Sequence, residues 1–392
     1  MLLFFYLLLS NEINTLPQSQ IKSGYILKGI SRVYQKPAFT AEPHAKIKGK
    51  GYFKVLKAGA KCTFGRWYQI TPEGWVCSGW FIPSTSPPGG TFNWSMGFSP
   101  GNYFYDIKKY SSLAVTLSDF GRGKFRRLRK LRGFMPTSQF FIGNYPWFRL
   151  FENGFISTSG LKPYKHSTLS GLTLKAKELP VAFITSARGT PLLRKKIENG
   201  KVGYKPSGQV SQYSIRSIKK ITGDYILLKS PKDFWIKRTD ASVAFKIPSQ
   251  NPNVKPDEQW IDVDLDENIV YARKGSKVVR VMLSSTSDET PSGIFRIYWK
   301  TVWQTFDRQR QKDAYFLEAV PFVMYFKESF GFHGAYWHDE FGRIKTHGCI
   351  NLSIADAKWL FNFSNPVLED GFFSLKSSIS NPGTLVRLRR SK

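Results

Sequence analysis

Three aromatic hairpin patterns, recurring at intervals of nearly 80 residues, most constrain what this 392-residue chain can fold into. Arg66-Trp67-Tyr68-Gln69-Ile70 followed by Gly74-Trp75-Val76 is matched by Pro146-Trp147-Phe148-Arg149-Leu150 followed by Gly154-Phe155-Ile156. A looser copy, Asp224-Tyr225-Ile226-Leu227-Leu228 followed by Phe234-Trp235-Ile236, has a longer turn. Alternating apolar and polar residues place side chains on opposite faces of a strand, and the glycines close the turns, so each copy reads as one small antiparallel barrel. Apolar residues at 41% and aromatics at 16%, with Gly and Pro throughout, suit many short strands rather than long helices. The expected fold class is mainly β in several compact modules.

The net charge of +30 is lopsided. Residues 256–392 hold 18 Lys/Arg against 17 Asp/Glu, while residues 1–255 hold 40 against 11. A basic front and a neutral back suggest that one part holds an anionic polymer while the other does chemistry. The densest basic run is Gly121-Arg-Gly-Lys-Phe-Arg-Arg-Leu-Arg-Lys-Leu-Arg132.

The compartment decides which polymer. Met1-Leu-Leu-Phe-Phe-Tyr-Leu-Leu-Leu9 is too short to span a bilayer and has the length of a signal-peptide core, so residues 1–20 are expected to be a leader and the protein exported, to the periplasm or cell envelope. No basic residues precede that core, Ser10-Asn11-Glu12 is not a small-x-small cleavage site, and a buried N-terminal strand is the other reading. With export, anionic wall or envelope polymers are better partners for the basic modules than nucleic acid. Cys62 and Cys77 are either bridged, closing a loop of about 15 residues, or two buried thiols. Cys349 is left over, and an odd thiol in an exported protein is a liability unless it is used.

From Gln259 the texture changes. Trp260-Ile-Asp-Val-Asp-Leu-Asp266 alternates strictly, Asn268 supplies a turn, Ile269-Val-Tyr-Ala272 answers it, and Val278 to Leu283 forms a third strand. Further on, the segment from Gly331 to Asn351 gathers His333, His338, His347 and Cys349, with a polar tip at Asp339 to Arg343 and Gly342 to turn it. Such a connection can return Cys349 to the neighbourhood of His333, where an imidazole can take the thiol proton during attack. Ser353-Ile-Ala-Asp356 has the form of a capping box opening a helix. Its positive end, with the backbone N–H groups of the His347-Gly348-Cys349 turn, would favour a thiolate and an oxyanion.

His333 followed by Thr346-His347-Gly348-Cys349-Ile350-Asn351 resembles the signature of the L,D-transpeptidase family of YkuD type. Thr290-Pro291-Ser292-Gly293-Ile294-Phe295 is similar to the family's Thr-Pro-x-Gly-x-Phe stretch, and Trp260 to Tyr271 to its opening hairpin. The resemblance covers roughly residues 257–375, and 376–392 is expected as a basic tail. It implies a peptidoglycan L,D-transpeptidase with no metal or organic cofactor. Cys349 would form a thioester with a stem tetrapeptide, release the terminal D-amino acid and pass the acyl group to an amine. His333 would be the general base, His347, Thr346 and Asn351 would shape the turn, and the Gly348 and Cys349 amides would form the oxyanion hole. Lys300 to Ala319, longer and more polar than in a minimal domain of this kind, is expected as a lid. The front modules, at 22–83, 102–165 and 180–248 with a linker at 84–101, resemble bacterial SH3-like domains.

Three other readings compete. Water as acceptor would make the chain an L,D-carboxypeptidase. His333, His338, Asp339 and His347 could be ligands of a zinc hydrolase, although the helical His spacing is absent. The third is a wall-binding scaffold with an inactive catalytic domain. His44 and His166 are expected on barrel surfaces.

Overall fold

The computed structural model describes residues 22–26, 30–48, 51–85, 103–106, 111–114, 122–128, 131–142, 144–151, 154–165, 167–174, 179–246, 254–308, 314–368 and 372–391. The expected leader, nearly all of the expected linker and His166 lie outside these residues. Among the described residues strands dominate, with a single α-helix, Ile354–Phe363, and no helix is long and apolar enough to cross a membrane.

The chain divides into two compact units. The first takes residues up to Gly97 together with Trp299–Val302 and Pro366–Asn381, so two pieces of the expected catalytic stretch belong to the front unit. Gly65–Thr71 and Gly74–Cys77 form the first aromatic hairpin, antiparallel as its Gly turn dictates. Pro43–Lys48 pairs with Phe372–Lys376, which in turn pairs with Trp299–Thr301. Their inward faces make one core of Val33, Ile47, Tyr68, Ile70, Phe372 and Leu375. Cys62 and Cys77 are bridged, with Cα atoms 6.2 Å apart. His44, expected on a surface, is buried at 4% exposure.

Among the described residues the second unit holds four larger strand groups beside the short pair Phe104–Asp106 and Leu161–Pro163. The second and third aromatic hairpins are present as Tyr145–Leu150 with Phe155–Ser157 and Tyr225–Leu228 with Trp235–Lys237. Their sheets run in open order, from Arg126–Leu128 to Pro136–Ile142 in one and from Lys201–Val210 to Ala241–Ala244 in the other. No closed barrel is formed among the described residues, so the mainly β expectation holds at the level of strands and not of barrels.

The third group is a six-stranded sheet in which Gln259–Asp264, Ile269–Lys274 and Lys277–Leu283 are consecutive antiparallel neighbours, Asn268 turning the first pair at φ 55°. The segment read as a basic tail is a core strand here. Leu385–Arg389 lies parallel to Gln259–Asp264, opposite it residue for residue. Asp262 and Asp264, both fully buried, explain why that strand is basic. Arg387 grips Asp262 through two hydrogen bonds of 2.8 and 2.7 Å, and Arg389 reaches Asp264 at 2.9 Å. Charges taken out of water need such bidentate partners to offset desolvation.

The fourth group is the strand pair Tyr315–Lys327 and Phe330–Gly334, extended by Ile350–Leu352. The helix follows at once, opened by the expected cap: Ser353 Oγ accepts from the Asp356 N–H at 3.2 Å. The Asp356 carboxylate, buried, accepts from Arg280 and from the Gly171 N–H, each at 2.9 Å. Arg280 also binds Ser170 and Thr173 and lies over the Trp359 ring at 5.1 Å. Helix, sheet and the strand Leu172–Thr173 are thus joined at one ion pair. Asp356→Ala should cost roughly 3–5 kcal/mol in urea unfolding, because it leaves Arg280 buried without its anion, and replacing both partners by Leu and Met should cost less. Equal losses in the two would show that the pair does not join these elements.

Candidate functional site

The strand Phe330–Gly334 carries His333, and the residue after the Thr346 to Gly348 turn is Cys349, immediately before Ile350–Leu352. These two strands are parallel, with His333 opposite Asn351 and Phe332 opposite Ile350. The register puts Cys349 alongside Gly331, whose backbone hydrogen-bonds toward the thiol. Residues 335–349 form the irregular crossover between them, and neighbouring side chains satisfy it. Thr346 Oγ1 donates to the Cys349 carbonyl at 2.6 Å and accepts from the Gly348 N–H at 3.1 Å. Thr290 Oγ1 donates to the Gly348 carbonyl at 3.0 Å, Ser285 exchanges both backbone hydrogen bonds with Asn351 at 2.9 Å, and Ser285 Oγ holds the Glu340 carbonyl.

Gly348 is required by geometry. Its φ is 119°, a left-handed value, and a Cβ there would stand 2.4 Å from the Phe330 ring. Its amide hydrogen is engaged by Thr346 Oγ1, so one of the two expected oxyanion donors already has a partner.

His333, Cys349, His347 and Asn351 line one groove of about 850 Å³, a size that suits a peptide-like ligand, and Glu289, Phe306, Asp307, Arg308 and Lys345 continue its walls. The strand ends around the expected lid do flank it, through Phe306 to Arg308 and Tyr315, while 309–313 lie outside the described residues. Lys300, at the start of that segment, is buried in a strand of the front unit.

Burial governs the electrostatics of the groove. His333 is 2% exposed, packed edge-on against Phe306 at 5.0 Å and beside Trp337 at 5.5 Å. Burial drives its pKa down to about 3. The Cys349 thiol donates weakly to the Ser329 carbonyl at 3.5 Å, and burial pushes its pKa up to about 11, against the lowering effect of the Gly331 backbone. The residue as a whole is half-buried, and Tyr315 and Tyr325 stand close enough to feel a charge on its sulfur. Among the described residues no hydrogen bond joins His333 to Cys349: the imidazole Nδ1 faces the Gly334 carbonyl at 3.4 Å. Burial thus favours the uncharged form of both groups.

His347 is exposed, its ring 5.9 Å from that of Tyr315. His338 was read from the sequence only as a rival metal ligand. It proves to be part of the groove, its Nε2 2.8 Å from Asn351 Nδ2. Among the described residues no group of three or more His, Cys, Asp or Glu is gathered closely enough to hold a metal ion. Tyr315, Trp337 and Ser329 also belong to the groove, and no motif marked them. Only the pairing of strands far apart in sequence could have found them.

The comparisons with known proteins agree with the motif. Residues 258–387 match the family model of the L,D-transpeptidase catalytic domain, YkuD. A candidate L,D-transpeptidase of Bacillus subtilis (strain 168), YciB, is 26% identical over 153 residues, 32% of this chain and 72% of that protein. The L,D-transpeptidase structure from Xylanimonas cellulosilytica DSM 15894 is 20% identical, with 34% of this chain and 62% of that one covered at a TM-score of 0.25. For the catalytic domain of the E. faecium L,D-transpeptidase the figures are 23%, 34%, 98% and 0.26. The chain thus spans less than two thirds of the Xylanimonas structure. The back third of the chain matches the L,D-transpeptidase catalytic domain.

In the substrate-free protein, alkylation of Cys349 by iodoacetamide should rise about tenfold per pH unit between about pH 7 and pH 9, because only the thiolate reacts. A rate already level by pH 7 would mean a preformed thiolate–imidazolium pair. Gly348→Ala should lower stability by about 1–3 kcal/mol, read as a shift in thermal midpoint, since the Phe330 ring must move and the turn is strained.

Proposed function

We propose that this protein is a peptidoglycan L,D-transpeptidase in which Cys349 is the nucleophile and His333 the general base. The observation that supports this reading best is the parallel register that brings His333 and the Cys349 turn onto one groove within a domain matching the YkuD family. Cys349 Sγ attacks the carbonyl carbon at the third residue of a stem tetrapeptide while its proton passes to His333. Because burial favours the uncharged form of both groups, transfer accompanies attack. The tetrahedral oxyanion is met by the Cys349 amide, the C–N bond breaks, and the imidazolium returns the proton to the departing D-amino acid. An amine from a second stem then attacks the thioester, the C–S bond breaks, and the thiol is restored. Splitting the transfer into two acyl steps supplies the catalysis without a metal or organic cofactor.

The basic front supplies the second element. Arg122 to Arg127 are exposed, and we assign to this surface the anionic polymers of the wall or envelope, a reading that goes with export to the periplasm or cell envelope. The sheets in the 22–83, 102–165 and 180–248 stretches then serve as wall-facing modules, held near their substrate at raised effective concentration.

The full chain incubated with disaccharide-tetrapeptide muropeptide, beside Cys349→Ala, tests the reading by mass spectrometry. Cross-linked dimers that need Cys349 are expected. Loss of the terminal residue without dimers would make water the acceptor and the enzyme a carboxypeptidase, and no change in either sample would leave a wall-binding scaffold.

A further inference from the structure

The crossover between the two groove strands contains a third histidine that faces a donor at each ring nitrogen, so that no neutral tautomer fits both contacts until the Asn351 amide is turned over. His338 Nδ1 accepts from the Glu340 backbone N–H at 3.3 Å, so Nδ1 carries no proton. A neutral ring then has its proton on Nε2, which lies 2.8 Å from the Asn351 amide. With Asn351 Nδ2 turned toward the ring, donor meets donor, and Asn351 Oδ1 stays buried without a partner. Exchanging the amide oxygen and nitrogen by a half-turn removes both faults at no cost in volume.

We propose that His338 is a positioning residue: a neutral imidazole, protonated on Nε2, that donates to the Asn351 side-chain carbonyl and so fixes the strand that begins at Cys349. The role rests on the transpeptidase reading for its catalytic meaning and on the contacts alone for its structure. Asn351 is pinned twice more, by Ser285 through both backbone hydrogen bonds and by its register opposite His333. Its side chain is the remaining freedom, and His338 removes it. The ring is itself held, lying 5.0 Å from Phe341. The loop around it is anchored by Tyr213, whose hydroxyl donates to the Asp339 carbonyl at 2.8 Å and accepts from the Phe341 N–H at 3.3 Å. The charged and titratable groups facing His338 are Asp339, Glu340, Lys345 and His333, and burial outweighs them, holding the ring neutral. Two histidines on one groove thus divide the work: His333 exchanges a proton and His338 keeps one.

Long-range ¹H–¹⁵N correlation spectra of the full-length protein report which imidazole nitrogen carries hydrogen, without any turnover. The expected result is an Nε2–H tautomer at His338, persisting well below the ordinary titration range of histidine. An Nδ1–H tautomer, or a ring that charges near pH 6.5, overturns the proposal. In acyl-enzyme formation, His338→Gln, whose amide nitrogen reproduces the Nε2 donor, should stay within about threefold of the parent, while His338→Ala should lose about tenfold or more in rate. Asn351→Asp should raise the His338 pKa and give the rate a new limb in the neutral range. Equal losses in the Gln and Ala variants would also sink the proposal. A protein with the expected tautomer but no transfer to muropeptide would refute the transpeptidase reading and leave the His338 assignment standing.

Discussion

The parallel pairing of Phe330–Gly334 with Ile350–Leu352 is the constraint on which the site depends. Parallel neighbours need a crossover, most often a helix that satisfies its own backbone. Here the crossover is the irregular stretch 335–349, so its amides and carbonyls must find partners elsewhere. Ser285, Thr286, Thr290, Thr346 and Tyr213 supply them. The loop that carries the chemistry is therefore rigid because it lacks regular structure: each of these bonds fixes a group that a helix would have fixed for itself. Removing one frees a stretch of chain two or three residues from a functional side chain.

That dependence recasts the sheet spanning residues 181–244. Its aromatic hairpin and polar edge suggested a module for gripping wall polymers. Within the second unit, however, Tyr213 from this sheet binds the crossover at two points, and Gly342 passes so near Thr185 that a Cβ would fall 2.3 Å from its methyl group. The same sheet sends Arg238 and the Val243 amide to the buried Glu267 beside the Asn268 turn. A buttress for the groove is a role that the contacts carry directly. Polymer binding by this sheet would have to use the hairpin on which Lys195, Lys196, Lys201 and Lys205 are exposed.

What the sequence disclosed and what it concealed follow from range. The Ser353 cap, the Asn268 turn and the aromatic hairpins rest on contacts within a few residues and stand in the structure, although the Asp356 carboxylate turns to Arg280 and Gly171 instead of closing a capping box. The Cys349 motif and His333 were legible because their chemistry is compressed into one segment. Asp262 and Asp264 misled: strict alternation normally puts the polar face in water, yet here it is buried. The strand that covers it, with Arg387 and Arg389, lies more than a hundred residues away and looked like a solvated tail. His338 was concealed for a subtler reason. Sequence shows that it is near the motif but not which atom its ring faces, and its role turns on a single proton.

The resting state of the groove follows from the same burial that shapes it. An imidazole enclosed by Phe306 and Trp337 gains nothing from charge unless an anion is at hand, and for the thiol, which donates to the Ser329 carbonyl, burial outweighs the lowering effect of the Gly331 backbone. A preformed ion pair would have to overcome both desolvation costs at once. The neutral pair avoids both, and a thiol reacts more slowly than a thiolate. On the proposed reading an acyl donor would change the balance by bringing the carbonyl whose developing oxyanion the Cys349 amide can meet.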